Sequence, residues 1–65
     1  MSNTIEAAEM VEDNVRQLKE LLVGQKKIAE HVGDGSLDHL VLHTESLIKM
    51  NTETAQYIRK TAIDG

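Results

Sequence analysis

Between Thr4 and Val32 the apolar positions of this chain recur at alternating steps of four and three. The series Thr4, Ala8, Val11, Val15, Leu18, Leu22, Gln25, Ala29, Val32 is a heptad seam, the spacing that holds one stripe of a helix against a partner. Ala7, Leu21 and Ile28 widen the stripe on one side. The resulting apolar arc covers nearly half the circumference, more than a single partner helix hides. Asn3 is placed to cap the start, with Glu6 as the reciprocal partner in a capping box. Gly24 interrupts good helix formers at about 1 kcal/mol relative to alanine. The heptad phase continues across it, so one helix over about residues 4–32 is predicted.

A second helical pattern covers about residues 37–62. Its inner face reads Leu37, Leu40, Val41, Thr44, Leu47, Ile48, Asn51, Thr54, Ala55, Ile58 and Ala62. Ser36 is the expected N-cap, Asp38 meets the positive end of the helix dipole, and Arg59 and Lys60 fall in the last turn, where cations are favoured. The stretch EHVGDGSLDH joins the two patterns. Gly33 is expected to end the first helix in the left-handed region and Asp34-Gly35 to turn the chain, making residues 33–36 the connection. A phosphate cradle would need a preceding strand and a longer glycine pattern. A link this short makes the helices antiparallel. The fold class predicted is all-α: one domain over residues 1–65, an antiparallel two-helix hairpin that oligomerises into a four-helix bundle or larger helical assembly.

Oligomerisation is expected because a hairpin of this size, without large aromatics, hides too little apolar surface to offset the cost of ordering it. Folding the chain at Asp34 brings Gln25 toward Thr44, and Asn14 toward Asn51 and Thr54. Two polar layers are therefore expected in the core, fixing register and oligomer state or lining a site between protomers.

Composition narrows the class. The chain has 65 residues, a formal charge of −4, no cysteine, no proline and one aromatic, Tyr57. Neither a disulfide nor a thiolate zinc site can form. Duplex nucleic acid is disfavoured, since the only basic pairs are Lys26-Lys27 and Arg59-Lys60, and a single-strand stacking platform needs several aromatics. No apolar run reaches the roughly 18 residues of a membrane span. The opening MSNTIEAAEM lacks the basic-then-apolar order of a signal peptide, so the expected location is the cytoplasm of a bacterial or phage-infected host cell, with no membrane partner.

Candidate chemistry is sparse. His39 and His43 have the spacing of paired imidazole ligands, but two ligands seldom define a site, so neither a metal nor any other cofactor is expected. Ser36 and Ser46 lack a strand-turn-helix elbow and no carboxylate pair follows from spacing, which predicts a protein that is not an enzyme. His39, Leu42, His43, Ser46, Met50 and Tyr57 form a half-apolar stripe on the outer side of the second helix, a candidate face for a partner protein. Tyr57, Arg59 and Lys60 are the one aromatic-plus-basic group. An oligomer could use them to stack a base and hold its phosphate, so they are candidate anion or nucleotide contacts.

The segment Glu45-Ser46-Leu47-Ile48-Lys49-Met50-Asn51-Thr52, with Ala55 after it, resembles the second helix of a phage helical-hairpin family. That family sequesters the cyclic nucleotide signals of bacterial anti-phage immunity. Lys49 stands where the family tends to carry tryptophan. The resemblance implies an oligomer of hairpins and a cyclic nucleotide ligand. Leu37-Asp38-His39-Leu40-Val41 is similar to the core of small sporulation phosphatase hairpins, with Asp34-Gly35 where Ser-Gln is expected. In size and architecture the chain also resembles plasmid copy-control RNA-binding hairpins and co-chaperones of type III secretion. The function expected is a small oligomeric binding protein, an adaptor or inhibitor acting on another protein. The alternatives are a cyclic nucleotide sponge and a small regulator or co-chaperone.

Overall fold

The computed structural model describes residues 2–64, and side chains for residues 3–62. Two helices, α1 (Ser2–Val32) and α2 (Asp38–Asp64), pack against each other along their length, with no strand among the described residues. α1 passes through Gly24 unbroken. A Cβ there would meet nothing within 4 Å, so the glycine marks no close approach. Asn3 lies inside α1 rather than ahead of it, so the predicted capping box does not mark the helix start.

The connection is built from two left-handed glycines, with φ +74° at Gly33 and +78° at Gly35. The Gly33 N–H donates to the Ala29 carbonyl at 2.9 Å, the single bond of the αL helix ending. The sequence reading of Ser36 as N-cap needs correction. α2 begins at Asp38, and Ser36 belongs to the turn: its N–H donates to the Asp34 carboxylate at 2.9 Å. Aspartate readily captures the backbone two residues on, and here it does so before a serine cap can form. The Asp38 and Leu40 amides then donate to the Gly35 and Leu37 carbonyls at 3.2 and 3.1 Å, a tight opening to α2. The Ser36 hydroxyl and amide together hold the Asp34 carboxyl below the usual aspartate range.

The core is made of small residues. Ala8 is wholly enclosed, Ala55 is 4% exposed, and Val15 and Thr44 are the other buried positions. No large side chain is fully buried among the described residues. Small residues let two helices approach closely, but they remove little apolar area from water. The molecule measures 49 × 14 × 9 Å, with a radius of gyration of 15.1 Å. A compact monomer of this length would have a radius near ~11 Å. Its surface is 4975 Å², against about 4,100 Å² expected for a compact monomer of this mass.

Candidate functional site

The seven-residue repeat sorts the side chains flanking the seam into two unlike sides. One carries Glu12, Lys19 and Lys26 on α1 beside Asp38, Glu45, Thr52 and Arg59 on α2. Arg59 grips Glu12 in a two-pronged contact, its Nε 2.6 Å from Oε2 and its second nitrogen, Nη2, 2.8 Å from Oε1. Closer to the turn, Lys26 Nζ lies 3.9 Å from Glu45. These pairs bridge the two helices on one side of the hairpin, beside open grooves at Lys26 and at Glu12. The Arg59 guanidinium, by hydrogen bonding and then by charge, holds the Glu12 carboxyl below the usual carboxylate range, and Glu12 in turn raises Arg59.

The sign of the resulting pH dependence follows from the depressed acids. Glu12 and Asp34 both bind their protons less readily folded than unfolded. Their stabilisation is fully present above the unfolded carboxylate pKa values, roughly 4, and is lost as pH falls through the lower folded values. The melting temperature of the protein should fall on acidification below about pH 4. Glu12→Gln should melt lower at neutral pH and show a shallower acid decline; a decline as steep as that of the unaltered chain would remove Glu12 from the account.

The opposite side is a different surface. Ala7, Asn14, Leu21 and Ile28 follow one another along α1, facing Leu40, Leu47, Thr54 and Thr61 along α2. An open groove between them is lined by Asn14, Gln17, Leu18 and Leu21 from α1 and by Leu47 and Asn51 from α2. Just outside lie Met10, Gln17, Gly24 and His31 on α1, and His43, Met50 and Tyr57 on α2. Between Asn3 and Ala62, none of these columns contains Asp, Glu, Lys or Arg. Six of the nine exposed large apolar residues among those described lie here, Met10, Leu21, Ile28, Leu40, Met50 and Tyr57, while Val23, Val32 and Leu42 lie elsewhere.

No family model, curated protein or solved structure matches the chain.

The residues singled out from the sequence fall as follows. Thr44 is 3% exposed in the seam and Gln25 half-buried, with its Oε1 enclosed and unpartnered. Asn51 is half-buried and turns its amide to the Leu47 carbonyl of its own helix at 2.8 Å. Asn14 and Thr54 are exposed on the hairpin, Thr54 donating back to the Met50 carbonyl at 2.9 Å. Within one hairpin the second polar layer is therefore a groove edge. His39, Leu42, His43, Ser46, Met50 and Tyr57 are all exposed. Met50 and Tyr57 belong to the uncharged side and share a shallow groove with Glu53 and Thr54, while Leu42 sits at the turn end near Lys26 and Val41. Tyr57 and Arg59 point to different faces, as their two-residue spacing requires. Glu12 already occupies the Nε and Nη2 donors of Arg59 and neutralises its charge, whereas Lys60 is exposed.

Among the described residues no group of three or more His, Cys, Asp or Glu could hold a metal ion, and no helix is long and apolar enough to cross a membrane. Sequence reading missed the Glu12–Arg59 clamp and the division into two sides. The signal was present in the columns flanking the seam, Glu12-Lys19-Lys26 against Ala7-Asn14-Leu21-Ile28.

Proposed function

We propose that the protein is a small helical binding module that assembles with itself, most simply into a four-helix bundle, and acts by protein–protein contact as an adaptor or inhibitor. One observation carries this reading: the hairpin exposes about 850 Å² more surface than a compact monomer of its mass, while no large side chain among the described residues is fully buried. That excess is close to the roughly 800 Å² each partner contributes to a standard interface. The outer side of α2 away from the uncharged columns remains open in such an assembly, and Leu42, 64% exposed, is its anchor for a second protein.

The test is concentration. An assembly that folds by associating melts higher as protein concentration rises, by mass action. Sedimentation at micromolar concentration should give a species of at least twice the 7.2 kDa chain mass. A compact single chain whose melting temperature ignores concentration would end the proposal. The partner face has its own arm. Leu42→Ala should keep helicity and self-association while weakening capture of a bound partner by at least about tenfold, and unchanged capture would remove that surface.

A further inference from the structure

We infer that the uncharged side of the hairpin is the self-association face and that its occupant is the same side of a second copy of this chain. The inference rests on the self-pairing proposed above and adds which surface performs it.

Closed pairs of identical chains place one patch against itself. The charged side is poorly suited to that arrangement. Pressing it against its own copy would take Glu12–Arg59, Lys26–Glu45 and the exposed Lys19 out of water, and buried ions repay their desolvation only with excellent geometry. The other side buries no fixed charge, because its columns hold none between Asn3 and Ala62. It carries the larger share of the exposed apolar side chains: Leu21 in the groove, Ile28 farther along α1, and Leu40 and Met50 on α2, against Val23 and Leu42 on the charged side.

The chain has no cysteine, so single-cysteine variants of the whole protein report on one position at a time. Leu21 on the uncharged side and Val23 on the charged side are 53% and 56% exposed in the hairpin, so an isolated chain alkylates Leu21→Cys and Val23→Cys alike. Each rate is divided by that of the same variant in urea. In the associated state Leu21→Cys should react on the order of tenfold more slowly than Val23→Cys, and dilution to single chains should erase the difference. As a second reading, Leu21→Lys should weaken association at least about a hundredfold at unchanged helicity, while Val23→Lys leaves it intact. Should Leu21→Lys fail to fold, the alkylation rates still decide. An associating protein with equal rates, or with Val23→Cys protected, overturns the face and leaves self-pairing standing. A protein that never associates overturns both.

Discussion

Enlarging Ala55 to leucine is expected to lower the melting temperature by roughly 10 °C at fixed protein concentration. The helices meet at small residues, with Ala8 wholly enclosed, Ala55 4% exposed and Val15 beside it. Ala55 is enclosed between the helices, so an isobutyl group there must push α2 away from α1 or take a strained rotamer toward the groove it shares with Glu12, Val15 and Gln56. Overpacking of this kind costs about 1–3 kcal/mol. The adjacent Gln56 is exposed, and Gln56→Leu should leave the transition within a few degrees. Circular dichroism melts of the two variants make the comparison. If Ala55→Leu melts with the unaltered protein, the helices do not close at Ala55 and the small-residue core is wrong.

Replacing both turn glycines with alanine should destabilise the hairpin by about 2–4 kcal/mol, since each left-handed residue other than glycine costs about 1–2 kcal/mol. The cost is conformational rather than steric. A Cβ at Gly33 would lie 3.6 Å from the Glu30 carbonyl, and one at Gly35 3.4 Å from the Asp38 carboxylate, both ordinary contacts. What alanine cannot adopt cheaply is φ near +74° or +78°. It prefers helical φ, so Gly33→Ala with Gly35→Ala should keep far-ultraviolet helicity while the hairpin opens toward one continuous rod. Gly24→Ala, mid-helix with open space around it, should do the reverse and stabilise by about 0.5–1 kcal/mol. Equal stability of the double variant and the unaltered chain would mean the turn is not built on left-handed glycines.

The architecture was readable because it rests on local periodicity. Spacings of three and four residues from Thr4 to Val32 and from Val41 to Ala62 define two seams whatever else the chain does. Gly33 fell where predicted because only a glycine ends a helix left-handed without strain. Caps were less legible. Asp34 competes with Ser36 for the same backbone, and which wins depends on the conformations of both flanking glycines. The Glu12–Arg59 clamp joins residues 47 apart in sequence and needs the register of the two helices before it can be seen. Asn14 and Thr54 were placed in the core by hairpin arithmetic, yet each lies one column outside the seam. One column is enough to turn a side chain outward.

The division of charge between the two sides bears on how far growth can proceed. A pair that meets through its uncharged surfaces consumes both of them, leaving no complementary patch for a third hairpin to continue the stack. Its exterior would carry twice the formal −4 of one chain, and such pairs repel one another in solution. On the proposed pairing, the same asymmetry would bring two copies together and stop them from polymerising into filaments.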